Sequence, residues 1–177
     1  GKFDLNIFVS EPVAASLKAR LPDIRTEVIP NGVDLGDFRC DHEEEDPGRP
    51  GLIYTGGMNM YANRDAVLFF LREIWPAIKQ GVPEVRFYAV GQDPPAELLR
   101  MADADSSVVV TGFVDDIRPL VAQSAVYVVP LRVGGGTRLK ILDAMAMERA
   151  IVSSSVGAEG INVTSGKNIL LVDEPRE

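Results

Sequence analysis

The sequence predicts an α/β protein with a Rossmann-like three-layer domain, in which helices flank a parallel sheet. Short strands alternate with amphipathic helices along most of the chain, which is the order that βαβ units produce. Several of the strands are almost wholly apolar, as strands buried on both faces of a sheet are. A length of 177 residues, 46% of them hydrophobic and 25% charged, is enough for one such domain with a full core.

The first 50 residues contain two extended runs around a helix, followed by a polar tract. We expect strands over 4–10 and 26–29 and a helix over 12–20. Pro12 suits the first turn of that helix, where a backbone N–H would have no partner. The tract 41–50 (DHEEEDPGRP) is dense in acidic residues and has no periodicity. It therefore predicts a loop or linker.

After Pro50 strands and helices alternate regularly. Strands are predicted over 52–55, 85–90, 108–111, 126–130, 150–153 and 169–172. Helices are predicted over 64–75, 95–101 and 117–123, and directly after Gly136. Asn63 is expected to cap the first of these helices, and Pro76 is expected to kink or end it. Asp115 or Asp116 is expected to cap the third.

The segment 126–148 carries the clearest signal for a ligand site. It begins with the apolar run VYVVP, a predicted strand, and continues through three glycines, 134–136, into an amphipathic helix. A strand, a glycine loop and a helix in this order point free backbone N–H groups at an anion, and the helix dipole adds positive potential. The apolar face of the helix is expected to consist of Leu139, Leu142, Met145 and Ala146.

Charged residues at the start of this helix support an anion site. Arg138 and Lys140 lie in its predicted first turn, although cations are disfavoured at a helix N-terminus by a few tenths of a kcal/mol. A negative group opposite them would account for their position. Asp143, two turns after Gly136, is expected on the same side of the helix. The residues alone leave one alternative open, a surface helix with solvated charges and a flexible loop.

Composition excludes several classes of function. The formal net charge of −8 argues against general nucleic-acid binding, which usually needs a basic face. The chain has one cysteine and one histidine, Cys40 and His42, so it cannot form an internal disulfide, and a His/Cys metal site is not expected. Two pairs of acidic residues could be mistaken for metal ligands, Asp103 with Asp105 and Asp115 with Asp116. Their positions at the ends of predicted helices, where such residues act as caps, explain them more simply. No apolar run could span a bilayer and no signal peptide is present, so we expect a cytoplasmic setting.

The predicted glycine loops all follow strands. In an open parallel sheet, ligands bind beyond the carboxyl ends of the strands. Gly56 and Gly57, Gly91, and the segments 112–114 and 134–136 would all lie along that edge. The residues themselves therefore predict a Rossmann-like domain with a site for an anionic ligand such as a nucleotide, and they predict no reaction.

Several sequence pieces, in order and at consistent spacing, resemble one enzyme family. They are IPNGVD at 29–34, YTGGM at 54–58, VGQDP at 90–94, VTGFVDD at 110–116, VVPLRVGGGTRLKILDAMAM at 128–147 and IVSSSVGAEGI at 151–161. Over residues 29–172 the chain resembles the carboxyl-terminal half of retaining glycosyltransferases of the GT-B fold, the glycosyl transferases group 1 family. The GGGTRLKILDAMAM variant resembles a bacterial branch that works in surface polysaccharide assembly.

The resemblance implies a division of the chain and of the reaction. Residues 1–28 would be a remnant of the amino-terminal half, 29–50 the interdomain linker and acidic loop, and 51–177 the sugar-nucleotide-binding domain, truncated at its C-terminus. The donor would be a nucleoside diphosphate sugar, and no metal or other cofactor is expected. A glycan or lipid-linked acceptor would bind the missing half, where any membrane contact would also belong. The fragment is therefore expected to be inactive alone.

The resemblance also assigns site residues. The family has two acidic residues separated by seven others. The second falls on Asp143, which would accept hydrogen bonds from the ribose, whereas the first falls on Gly135, which has no side chain. Backbone N–H groups of Gly136, Thr137 and Arg138 would meet the diphosphate.

Other positions follow from the same resemblance. In this family the turn that corresponds to Gly56 and Gly57 often carries Arg and Lys, but this chain has neither residue there. We therefore expect Arg138 and Lys140 to stabilise the leaving diphosphate instead. Phe113 and Val114 would flank the nucleobase.

Two other functions remain open from the sequence. One is a non-catalytic nucleotide-binding or scaffold module, in which Gly135 reflects lost chemistry. The other is a sugar-nucleotide epimerase of GT-B architecture. The sequence does not identify the base, the sugar or the acceptor.

Overall fold

The main sheet contains six parallel strands in a computed structural model that describes residues 3–38 and 50–175. These strands are β3 (Gly51–Thr55), β4 (Arg86–Val90), β5 (Val108–Gly112), β6 (Val126–Val129), β7 (Ala150–Ser153) and β8 (Leu170–Leu171). A separate parallel pair precedes them, β1 (Asn6–Phe8) and β2 (Thr26–Val28). The helices are α1 (Glu11–Arg20), α2 (Tyr61–Phe69), α3 (Trp75–Gly81), α4 (Ala96–Ala104), α5 (Arg118–Ala122) and α6 (Leu139–Ala146).

The strand order reverses direction once, between β3 and β6. Across the main sheet the order is β5-β4-β3-β6-β7-β8, so the chain runs outward from β3 to β5 and then returns to the other side of β3. Where two neighbouring strands lead their connections in opposite directions, a crevice opens at their carboxyl ends. The segments that follow β3 and β6 therefore meet at this switch point.

The core packs against the main sheet. All five residues of β3 are buried, as expected for a central parallel strand covered on both faces. Phe70, Trp75 and Phe87 form an aromatic cluster with ring centroids 4.5–6.3 Å apart. The predicted α/β, Rossmann-like fold is confirmed, and each strand predicted after residue 50 is present.

The helix after β3 differs from its prediction in two respects. It begins at Tyr61, with Met60 at the N-cap position, so the prediction that Asn63 caps it was wrong. It also continues past Pro76, which was predicted to kink or end it, because a π-helical segment, Phe70–Ile74, joins α2 directly to α3. In a regular α-helix the proline ring would collide with the carbonyl four residues earlier. The wider π turn before Pro76 accommodates the ring.

The buried face of α6 also differs from its prediction. Leu139 is 52% exposed, whereas Ile141, Ala144 and Met147 are buried. The predicted stripe was therefore wrong by about half a helical turn. The residues of the predicted stripe recur at helical spacing, but so do Ile141, Ala144 and Met147. The side of the helix on which the sheet lies decides which of the two sets is buried.

The remaining expectations concern the start of α5, the acidic tract and membrane-spanning helices. The N-cap position of α5 is Ile117, so the prediction that Asp115 or Asp116 caps it was wrong, although Asp116 accepts a hydrogen bond from the backbone N–H of Arg118 at 2.9 Å. Most of the acidic tract 41–50, together with Cys40 and His42, lies outside the described residues. Within the described residues, no helix has both the length and the apolar character needed to cross a membrane.

Candidate functional site

The candidate site lies at the switch point of the main sheet. Its first wall is the turn after β3, which contains Gly56 and Gly57. Its second wall is the segment 133–138 after β6, here called the glycine loop, together with the first turn of α6. Hydrogen bonds join the ends of neighbouring strands here, from the Gly56 N–H to the Val90 carbonyl at 2.9 Å and from the Gly91 N–H to the Gly112 carbonyl at 3.0 Å.

Lys140 connects the two walls. Its Nζ donates to the backbone carbonyl of Thr55 and to the side-chain oxygen of Asn63 at 3.2 Å. It also lies 4.4 Å from the ring centroid of Tyr54. A Cβ on Gly56 would come within 2.6 Å of this Nζ. The absence of a side chain at Gly56 therefore gives Lys140 the space to reach β3.

Asn63 holds the turn after β3 beside Lys140. Its Nδ2 donates to the Gly57 carbonyl at 2.9 Å, while its Oδ1 accepts a hydrogen bond from the Tyr54 hydroxyl at 2.8 Å. Asn63 and Tyr54 were not predicted as site residues. Asn63 has the features of a helix cap in the sequence, and nothing in the local pattern relates it to a lysine 77 residues later.

The environment of Lys140 disfavours its charge. Burial, and to a smaller extent the nearby Arg138 guanidinium, lower the pKa of this lysine from 10.5 to about 7. Carbonyl and amide oxygens accept its hydrogens, but no carboxylate contacts it among the described residues. A bound anion would supply the missing negative charge and raise this pKa.

Arg138 and Thr137 carry buried polar atoms without partners. Nη1 of Arg138 donates to the Gly135 carbonyl at 2.6 Å, but Nε and Nη2 are buried and have no hydrogen-bond partner among the residues that the structure describes. The hydroxyl oxygen of Thr137 is also buried without a partner. A buried polar group left unpaired costs about 1–3 kcal/mol, and more if it is charged. Three such atoms together indicate a ligand that supplies oxygen acceptors.

Backbone N–H groups add further free donors. In the part of the chain that the structure describes, no hydrogen bond uses the N–H of Gly136, Thr137 or Arg138. The helix α6 begins only at Leu139, so the prediction that it begins directly after Gly136 was wrong. These N–H groups belong to the glycine loop rather than to the first turn. Gly136 has a φ of +84°, which glycine adopts without strain.

Asp143 lies in α6, one turn after Lys140, and its carboxylate is near the Tyr127 side chain of β6. Burial raises the pKa of its carboxyl group. The same carboxylate is close enough to the Tyr127 hydroxyl to help raise the pKa of that tyrosine, although burial contributes most. Tyr127 in turn makes a short hydrogen bond with the Thr55 hydroxyl. The structure thus places Asp143 beside the β3–β6 pair at the switch point.

Phe113 and Val114 lie further away. They follow β5, the edge strand, which β4 separates from β3. Phe113 is 71% exposed, so it has an apolar ring free for stacking. Arg132, close to the glycine loop in sequence, is already paired with Asp65 through two hydrogen bonds of 2.6 and 3.1 Å.

The chain matches the family model described as glycosyl transferases group 1 over residues 49–177. The chain belongs to this family. Its six-stranded parallel sheet flanked by helices matches the Rossmann-like domains of GT-B glycosyltransferases.

Solved structures of members of this fold class are similar to the chain at low sequence identity. Anabaena Alr3699/HepE, determined with UDP and glucose, has a TM-score of 0.73 and 19% identity, with 97% of this chain and 50% of that chain covered. The pneumococcal O-GlcNAc transferase GtfA, determined with UDP and GlcNAc, has a TM-score of 0.71 and 15% identity, with 98% and 34% covered. These similarities establish the fold.

One curated relative is similar in sequence. It is an uncharacterised 44.6 kDa protein in the cps region of Klebsiella pneumoniae, 22% identical over 130 residues. The match covers 70% of this chain and 34% of that protein. The chain therefore spans about half or less of the length of the proteins it matches.

Proposed function

We propose that this chain is the donor-binding half of a retaining glycosyltransferase. In the reaction, the bond between the anomeric carbon of the donor sugar and the β-phosphate oxygen breaks, and the nucleoside diphosphate leaves with that electron pair. The acceptor hydroxyl oxygen forms the new bond with the same configuration at carbon, and its proton passes to the departing β-phosphate oxygen. The charge that builds on the departing diphosphate is what the protein must stabilise.

The observation that carries this proposal is the set of unpaired donors in the glycine loop. Among residues 3–38 and 50–175, Nε and Nη2 of Arg138 and the Thr137 hydroxyl are buried without partners, and Lys140, near Arg138, has no acid as a partner. A diphosphate offers several oxygen acceptors on two linked centres, which suits two cations and adjacent N–H groups. Such an arrangement stabilises negative charge without a metal ion.

The remaining roles are those that the family resemblance assigns. Gly56 and Gly57 form the turn after β3 that faces the diphosphate, and Gly56 leaves room there for the Lys140 side chain. Asp143 accepts hydrogen bonds from the ribose, and Phe113 and Val114 flank the nucleobase. HepE and GtfA, which share this fold, have UDP in their solved structures, which supports a nucleoside diphosphate sugar as the ligand.

The acceptor and the biological setting belong to the whole protein. A glycan or lipid-linked acceptor would bind the other half of the GT-B architecture, because this chain corresponds to about half of HepE. The relative in a cps region supports a role in bacterial surface polysaccharide assembly.

A non-catalytic nucleotide-binding module is the second candidate, and one observation favours it. Gly135 stands in the glycine loop without a side chain, and a Cβ there would meet nothing within 4 Å. The position therefore offers no group to act on a donor sugar. Product analysis on the full-length protein separates the two functions, since the module would bind nucleotide and release no product.

Calorimetric titration of the chain with UDP, GDP, ADP and TDP tests the proposal. We expect one of them to bind, and Lys140→Ala to weaken that binding by about 1–2 kcal/mol, the free energy of a charge-assisted contact. Lys167→Ala, which removes an exposed lysine, is the charge-matched control and should have no effect. Unchanged affinity in Lys140→Ala would remove this residue from the site. Binding of none of the four would refute the proposed function.

A further inference from the structure

Ser10 is a buried serine whose hydroxyl group makes no hydrogen bond within the described residues. It is 4% exposed and occupies the N-cap position of α1. A serine at this position usually accepts a hydrogen bond from an N–H of the first helical turn, but here the side chain makes no such bond. Burying a hydroxyl group without a partner is costly. The fold alone therefore does not account for a serine at this position.

The hydroxyl groups of Ser10 and Thr137 lie close to each other beside Gly160. A Cβ on Gly160 would lie 3.4 Å from the Ser10 hydroxyl oxygen and 3.1 Å from the Thr137 hydroxyl oxygen. Among residues 3–38 and 50–175, the Thr137 hydroxyl is also buried without a partner. Gly160 has a φ of +77°, which glycine adopts without strain. The lack of a side chain there lets the start of α1 approach the glycine loop, so that two unpaired hydroxyl groups converge.

The first turn of α1 adds backbone donors beside Ser10. The first hydrogen bond of the helix runs from the Ala14 N–H to the Ser10 carbonyl at 3.3 Å, so the N–H groups of Glu11 and Val13 have no partner inside the helix. The helix is ten residues long, and its dipole adds positive potential at this end. The carboxylates nearest in sequence, Glu11 and Glu159, are exposed, so solvent screens their charge. This end of α1 therefore favours a negatively charged ligand.

The groups that converge here suit a phosphate. Nε and Nη2 of Arg138, which follows Thr137 directly, are likewise buried and unpaired in the part of the chain that the structure describes. The guanidinium supplies the charge, while the two hydroxyl groups can donate hydrogen bonds without adding charge. A phosphate group has several free oxygens and can accept hydrogen bonds from all of these donors at once.

The order of the strands indicates which phosphate lies near Ser10. Phe113 and Val114, which are proposed to flank the nucleobase, follow β5 at one edge of the main sheet. Gly160 follows β7, which lies beyond β6 on the other side of the sheet. A nucleotide that extends from β5 towards the glycine loop would therefore bring the phosphate farther from its base closer to Ser10.

We propose that Ser10 donates a hydrogen bond to the terminal phosphate of the nucleoside diphosphate, so that the start of α1 forms a third wall of the site. This inference rests on the proposed function. A nucleoside monophosphate lacks the terminal phosphate that Ser10 would contact. Ser10 should therefore affect the affinity for the diphosphate and not the affinity for the monophosphate of the same nucleoside.

Calorimetric titration of the chain with UDP and with UMP tests the inference, or with the matching pair if another diphosphate is the one that binds. The measured quantity is the ratio of the two affinities. Ser10→Ala removes the hydroxyl group and keeps Cβ. We expect it to lower the preference for the diphosphate about 10-fold, with the affinity for the monophosphate within about twofold of the wild type. Ser16→Ala, which removes an exposed hydroxyl group from the same helix, is the matched control and should leave the ratio unchanged.

Urea unfolding without nucleotide distinguishes a ligand contact from a structural role. Because the Ser10 hydroxyl bonds nothing in the described chain, Ser10→Ala should leave the unfolding midpoint unchanged or raise it, whereas loss of a working N-cap would lower it. The ratio of affinities decides the outcome. If Ser10→Ala has the ratio of the wild type, or loses affinity for UDP and UMP equally, the inference is wrong and the proposed function stands. Failure of the wild type to bind any of the four diphosphates would refute both.

Discussion

The pH dependence of diphosphate binding provides a sharp test of the site, because it depends on one lysine. Burial and Arg138 lower the pKa of Lys140 to about 7. Without ligand, its ammonium group is then about 90% charged at pH 6 and about 10% charged at pH 8. The proposed diphosphate ligand would bind the charged form and raise the pKa, so its binding would take up a proton. Affinity is therefore highest below the pKa of the free protein and falls as pH rises through it.

The expected magnitude follows from these charged fractions. Between pH 6 and pH 8 the affinity should fall about 10-fold, or about 1.4 kcal/mol. At pH 7 the binding event should take up about half a proton. Asn63→Asp would place a carboxylate where the amide oxygen now lies 3.2 Å from Nζ. That charge should raise the pKa of Lys140, weaken binding and remove the pH dependence from this range.

The assay is calorimetric titration with UDP-glucose at pH 6, 7 and 8, in buffers with different ionisation enthalpies. A sugar nucleotide is preferable to UDP, because the terminal phosphate of UDP has a second pKa of about 6 whereas both phosphates of UDP-glucose are esterified. Lys140→Ala should bind more weakly at low pH and show no proton uptake. Constant affinity in the wild type between pH 6 and 8, or unchanged pH dependence in Lys140→Ala, would refute the reasoning.

Three further predictions concern stability and the nucleoside. Gly91→Ala should destabilise the protein by more than 3 kcal/mol in urea unfolding, roughly the sum of a strained φ and a steric overlap, because a Cβ would overlap the Gly56 carbonyl. Gly112→Ala, with a φ of +69° but open space, should cost only about 1–2 kcal/mol; equal losses would contradict this packing. Asp143→Ala should weaken binding of uridine as well as UDP in the same calorimetric assay, and an effect on UDP alone would remove Asp143 from the ribose. Asp105→Asn should lower the stability by about 1 kcal/mol at pH 7. Hydrogen bonds from Ser107, and more weakly from Trp75, lower the pKa of Asp105, so this difference should disappear as the pH falls through that pKa, and its persistence in acid would contradict the assignment.

The sequence alone determined the layers of the fold and the edge at which the site lies. Apolar strands alternating with helices predict a buried parallel sheet, since only such a sheet covers both faces of its strands. Parallel strands all end on one edge, so the glycines after β3 and β6 had to lie along it. Arg138 and Lys140 could be assigned to the site because they follow one of those glycine segments directly.

The tertiary structure decided which segments lie next to each other and which side chains are in contact at the candidate site. Strand order places β6 beside β3, which brings Lys140 to the Thr55 carbonyl across 85 residues. The same packing turns Asn63 from a predicted cap into a partner of that lysine, and it buries Ile141 rather than Leu139. Periodicity reports only that one face of an element is apolar. Which neighbour covers that face depends on contacts between distant residues, and the local pattern does not encode them.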